Sequence, residues 1–507
     1  MYRILLSILL TFPFLANAQV KGDYVWVGGY QTNPEGGQNG YTMDFNRNKG
    51  EPAFIKIPQG FARNNASICD ENGYLMFYFN GCAVMNRFHH VMPNGDSINA
   101  GAWFDLYWQD CKYGYPGFQD VLILPDPGNS KGYYILHSKN LYFPQIKDSM
   151  QLNYTYVDMN LDNGNGAVTL KNKPFYPNFF HMYSYFSAIQ HENKKNWWVI
   201  KPMVNDSVFL IFSLNENGIH FSHIQNTFQF LDRDRSSASV TVKFSPDGKK
   251  LALYNYYDQL HVYDFDRLNG LISNHKKIEV YPSDSIDRNT ILFSSVEWSP
   301  NSRFIYCSSS VDLYQVDTWE NNVQNGVRFI DSYNGTLDPF PTRLFLMAQG
   351  PDCKIYMTPK NGSYSLHVIN KPDEPGKACD FVQNAIKLPN SNSGTLPNFP
   401  RFRVDEDKKC DPTITSLFGE TVYYRREIEV FPNPSSGVFQ VKIPEVHRSG
   451  TLIVSNTEGK ILVQKQVNWS VLEEIDISTF PSGRYNIEFY PDDQHEKIYY
   501  GKQVIKI

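Results

Sequence analysis

The 507-residue chain has no Lys/Arg-rich run and no strongly basic segment, and its formal charge is only −5. Recognition of a nucleic-acid backbone is therefore not expected. After the first twenty residues no apolar run is long enough for a membrane-spanning helix. None of the seven cysteines forms a C-x-x-C pair, which removes the usual zinc knuckle. From Lys21 to about Val404 helical periodicity is almost missing, so a helical fold is not expected.

What is present points to sheet and to export. The aromatic share of 15%, with 33 Tyr and 35 Phe, suits side chains packed on pleated surfaces. At this length a chain is expected to divide into two or three domains. Residues 1–18 read as a secretory signal peptide. Arg3 supplies the positive start, Ile4 to Leu15 the apolar stretch, and Ala16-Asn17-Ala18 the cleavage pattern. No cysteine stands at the cut, which argues against a lipid anchor. In an oxidising compartment the preferred disulfides are Cys353 with Cys379 and Cys82 with Cys111, each closing a loop of about thirty residues. The odd cysteine count leaves at least one thiol free, Cys307 being the obvious candidate.

The chain repeats a grammar of strand, tight turn, strand. "SVTVKFSPDGKKLALYNYYDQLHVYDFD" (239–266) and "SSVEWSPNSRFIYCSSSVDLYQVDTW" (294–319) are its clearest copies. A third spans 343–370 and a looser one 65–95. Proline presets φ at the turn, and Asp or Asn tolerates the reversal. Turns at Asp247, Asn301 and Asp352 recur at a spacing that fits a β-propeller blade. Six blades are placed near residues 61–98, 118–170, 183–228, 236–282, 291–335 and 340–373. A composite seventh would pair 380–404 with the N-terminal "DYVWVGGY", and six or eight blades stay open. The motif around Asp247 resembles a WD-type repeat without its Trp-Asp dipeptide. "GPDCKIYMTPKNGSYSLHVINKPDEPGKACDF" with "IKLPNSNSGTLPNFPRFR", and "MFYFNGCAVMNRFHHVMPNG", resemble a family of secreted Bacteroidetes propellers. That resemblance implies fold and location, not a ligand or a catalytic residue.

Residues 19–405 are thus read as the propeller, 406–427 as a linker and 428–507 as a second domain. In the last, Phe439, Val441 and Ile443 alternate with polar neighbours, as do Tyr485, Ile487 and Phe489, so a small immunoglobulin-like β-sandwich is expected. Its "PNP" start, "NTEGK" hairpin, "PSGRY" strand and terminal "KQVIKI" resemble the C-terminal sorting domain of the type IX (Por) secretion system. The resemblance implies engagement of the type IX machinery and delivery to the cell surface or the medium of a Gram-negative bacterium.

Local chemistry is sparse. "GNSKG" (128–132) fits G-x-S-x-G, but no helix follows, and it reads as a hairpin turn. "DMNLDNGNG" (158–166) lacks the glycine and glutamate of a calcium loop. "HENKKNWWVI" reads as a blade turn, and the pairs His89/His90 and His220/His223 lack companion ligands, so no metal or other cofactor is expected. The aromatic insertion 100–118 offers a ligand platform through Trp103, Tyr107, Trp108, Tyr113 and Tyr115, unless those rings simply cover the core. The leading expectation is an exported binding protein for a protein or glycan ligand. A propeller hydrolase or lyase acting on polysaccharide or peptide is the alternative, since its carboxylates would come from different blades and leave no local motif. A structural surface-layer component is a third.

Overall fold

The computed structural model describes residues 21–30, 39–46, 53–101, 104–105, 111, 113–115, 119–139, 142–143, 146–147, 151–176, 185–203, 208–226, 240–281, 293–404, 410, 424–444, 449–456, 461–491 and 498–507. The signal segment 1–18 lies outside them. The chain forms two compact units, residues 1–416 and 417–507.

Seven antiparallel meander sheets make the first unit a β-propeller. Their innermost strands are Val25–Gly28, Ala66–Cys69, Val121–Asp126, Ser187–Gln190, Thr241–Phe244, Ser295–Trp298 and Leu344–Gln349. Blades one and two have three strands and the other five have four. Burial falls with radius. The inner strand of blade six is wholly buried, whereas the outer strand of blade five, Leu271–Ile278, is mostly exposed. The composite blade expected from 380–404 is not formed. Val25–Gly28 opens a self-contained first blade, and Phe381–Asn392 is the outer strand of blade seven. Blade seven then meets blade one through the Tyr30–Ser391 backbone and side-chain bonds and the packing of Tyr356 on Trp26.

The recurrent turn works as its sequence indicates. Asp247 Oδ1 accepts from the Ser245 hydroxyl and the Lys249 amide, and Asn301 Oδ1 accepts from Ser299 and Arg303 in the same way. The next residue must be left-handed, and Gly248, Ser302 and Cys353 all have φ between 62° and 71°. Hydroxyls at the inner edge join neighbouring blades. Val296 N–H donates to Thr241 Oγ1, and Met347 N–H to Ser295 Oγ.

Cys82 is joined to Cys111. Cys353 is joined to Cys410, not to Cys379 as expected. Proximity in sequence misleads here. Cys353 lies in the inner turn of blade seven, while Cys379 lies in the turn that leads to its outer strand and packs in the core beside Tyr306. The free thiols are Cys69, Cys307 and Cys379, all buried.

In the second unit a five-stranded sheet and a three-stranded sheet enclose one core. Phe439, Val441 and Ile443 are buried along one strand, and Tyr485, Ile487 and Phe489 along another, while Val438 and Lys442 face out. This is a small β-sandwich. The hairpin at 457–459 lies outside the described residues.

Non-reducing peptide mapping is expected to recover a Cys353–Cys410 cross-link, and Cys410→Ser should destabilise the propeller by roughly 4 kcal/mol in denaturant titrations. A Cys353–Cys379 peptide would overturn this pairing. A second expectation concerns acid. Burial holds His137 and His261 down to about 3 and His367 down to about 4, so all three are neutral in the fold. The unfolded chain takes up those protons below about pH 6.5. Stability is therefore lost as pH falls below 6.5, with a slope approaching three protons, and His261→Asn should reduce the slope by about one.

Candidate ligand-binding site

The propeller axis is filled by the chain itself. Residues 394–404 leave blade seven and run past the inner strands of every blade. Pro397 and Pro400 leave two positions of this segment without an N–H, so it adds no regular strand, and it is held by its side chains and by the N–H groups of Asn398 and Arg401. Asn398 donates its backbone N–H to Asn65 O ahead of blade two, and its amide to Gln119 O, Val121 O and Phe186 O on blades three and four. Arg401 N–H bonds Ala188 O of blade four. Its guanidinium reaches Phe244 O of blade five at 2.7 Å, Glu297 Oε1 of blade six at 3.0 Å and Gln349 Oε1 of blade seven at 2.8 Å. Arg403 forms a two-pronged pair with Asp23, ahead of blade one. Gly22 is required beside it, since a Cβ there would lie 2.9 Å from the Phe402 ring.

The apolar side chains of the segment join cores that would otherwise be separate. Phe402 packs with blades two to four, Leu396 and Val404 with blades one, four, five and seven, and Phe399 against both groups.

At the face where the Asp247 and Asn301 turns lie, the segment floors a cavity of about 480 Å³. Lys243, Glu297, Gln349, Arg401, Arg403 and Asp23 converge in it, and Trp319, 66% exposed, lines it as well. Among the described residues, each carboxylate lining it already serves a partner: Asp23 holds Arg403, Glu297 holds Arg401, and Asp247 caps its own turn. Lys243 differs. Among the described residues its ammonium has no hydrogen-bond or ion-pair partner, and burial, with repulsion from Arg401, holds it below the usual lysine range against the pull of Glu297. The arrangement can bind, and among the described residues an anion for Lys243 is what it lacks.

The aromatic insertion divides. Trp103, Tyr107 and Trp108 lie outside the described residues. Tyr113 is half-buried with its ring 5.4 Å from that of Tyr30. Tyr115 is fully buried with Phe61, Tyr78 and Cys111, so it is a core residue and offers no face to a ligand. Gly128 lies in the two-residue hairpin turn Pro127–Gly128 between Val121–Asp126 and Asn129–Lys139, and Asn129 to Gly132 begin the second strand. His191 caps a turn and stacks on Trp198, and Asp158 caps the turn after its strand. Among the described residues there is no group of three potential metal ligands.

Sequence reasoning missed the cavity. "LPNFPRFR" falls within 380–404, the stretch expected to complete a composite blade, and its two prolines are the signal against that reading.

Residues 429–506 match the family model of the secretion system C-terminal sorting domain. This tail directs export by the type IX system to the cell surface or the medium. No helix among the described residues is long and apolar enough to cross a membrane. Among curated proteins nothing matches at a significant level. Among solved structures, the periplasmic gluconolactonase of Pseudomonas aeruginosa is 10% identical with a TM-score of 0.44, covering 74% of this chain and 98% of that one. A β-propeller domain from Myceliophteria thermophila is 8% identical with a TM-score of 0.33, covering 65% and 93%. Such scores carry no argument, and the fold stands on the hydrogen-bonded sheets.

Arg401→Met is expected to lower stability by about 3–5 kcal/mol in urea titrations, because Glu297 is left buried without its partner. Adding Glu297→Gln should restore a large part. Lys243→Met should match or exceed the parent, since it removes an unpaired charge from a poorly solvated place. A loss as large as that of Arg401→Met would show that Lys243 has a partner.

Proposed function

We propose that this protein is a non-enzymatic binding protein, a seven-bladed propeller exported through its sorting tail to meet a protein or glycan ligand outside the cell envelope. It belongs in this reading with the secreted Bacteroidetes propellers that its 350–403 stretch resembles, and residues 1–18 start its export.

The carrying observation is the filled axis. A propeller hydrolase gathers an acid and a base from different blades around its channel. Here residues 394–404 occupy that space, and the cavity's carboxylates are bound to arginines or to a turn. A preformed cavity with fixed polar groups and apolar walls is suited to recognition.

Two measurements test the reading. Deletion of Ile428 to Ile507 should leave the protein in the periplasm, and normal recovery from the medium would remove the tail's role. The full mature protein should bind a ligand on glycan or protein arrays without altering it. Release of reducing ends or cleaved peptide from any retained polymer would favour the hydrolase or lyase instead.

A further inference from the structure

Lys243 is the third residue of the inner strand of blade five, and alternation puts it on the side opposite Val242 and Phe244, which enter the core. Its carbonyl takes the Trp298 indole N–H at 3.0 Å, which fixes the backbone at the root of the side chain. Among the described residues, four cations, Lys243, Lys249, Arg401 and Arg403, and three anions, Asp23, Asp247 and Glu297, stand around the cavity. Arg403 and Arg401 hold Asp23 and Glu297. Among the described residues, the charge left over at the inner wall is that of Lys243, which has no hydrogen-bond or ion-pair partner there.

The geometry narrows what would pair with it. Both cavity arginines are already engaged, so no free guanidinium fork is offered to a phosphate dianion. Lys249 is exposed, so Lys243 is the one partly buried ammonium of the lining, and one ammonium matches a monoanion such as a carboxylate. About 480 Å³ is room for a small cyclic ligand, and the wall alternates polar Asn301, Ser302 and Gln349 with the flat surfaces of Pro300, Phe399 and Trp319. The Trp319 ring has the Arg303 guanidinium 5.1 Å from its centroid and is otherwise largely open to solvent. An exposed indole beside a polar wall suits the face of a sugar ring.

We propose that this cavity is a subsite for a carboxylated saccharide, a uronate-type residue whose carboxylate pairs with Lys243 Nζ and whose chain continues over Trp319. The assignment rests on the reading of the propeller as a binding protein, and it names the ligand class and the residue that selects it. Pairing with a carboxylate supplies the ammonium with a counter-charge that the described residues do not give it, so bound ligand should stabilise the fold and do so less as salt rises.

The test is calorimetric titration of the full mature protein with oligogalacturonate, with a neutral hexose oligomer of equal length, and with inorganic phosphate, while reducing ends are followed in the same samples. Oligogalacturonate should bind at least about tenfold more tightly than the neutral oligomer and weaken with ionic strength. Lys243→Gln should lose at least about tenfold in affinity with its melting temperature unchanged or raised, and Trp319→Ala should lose several-fold. Equal affinity for the neutral oligomer, indifference to Lys243→Gln, or tighter binding of phosphate would each overturn the carboxylate assignment and leave the binding reading standing. Binding of none of the three would also overturn it, with a protein ligand then the remaining reading. New reducing ends would overturn the binding reading itself.

Discussion

One guanidinium sets the terms for the propeller. Arg401 touches blades five, six and seven through three hydrogen bonds, and its backbone takes hold of blade four. A ring of sheets has no reason of its own to be round, because each blade packs only on its neighbours. A buried cation that accepts only one arrangement of a carbonyl, a carboxylate and an amide fixes how far apart three inner strands stand. Asn398 does the same on the opposite side of the axis with three backbone carbonyls. These are hydrogen bonds that cannot be traded for water, since their partners lie at the innermost radius. Their worth is that of well-buried polar networks, high only while every member is satisfied.

That constraint also explains the chemistry of the cavity. A segment that uses arginine to hold the ring must be met by carboxylates, and Glu297 and Asp23 meet it. Acidic groups at the axis are then part of the scaffold. What remains for a ligand is the surplus cation of blade five, with prolines and aromatics around it. Scaffold and specificity are separated by a single residue's spacing, since Lys243 stands next to Phe244, whose carbonyl Arg401 holds.

Much of the architecture was legible because it is written locally. Alternation marked Phe439, Val441 and Ile443 as one buried face. The Ser-Pro-Asp/Asn turns marked the inner hairpins of blades five and six, and their spacing marked blades. The sorting tail was legible for the same reason, as an ordered series of short motifs. What escaped was set by radius and axis, neither of which has a local signature. Cys353 and Cys410 are separated by 57 positions and meet because the chain crosses the ring between them. Lys243 reads as one polar residue in an ordinary strand, and its isolation follows from Arg401 and Glu297 having chosen each other. Tyr115 reads as a loop aromatic and is core, because the Cys82–Cys111 bond draws its segment inward.

The axial segment also imposes an order in time. Its residues come after the last blade strand, with Cys410 still to follow, yet they are the ones in contact with all seven blades. Until residue 404 has emerged, the seven sheets can form as meanders but have no shared centre to close upon.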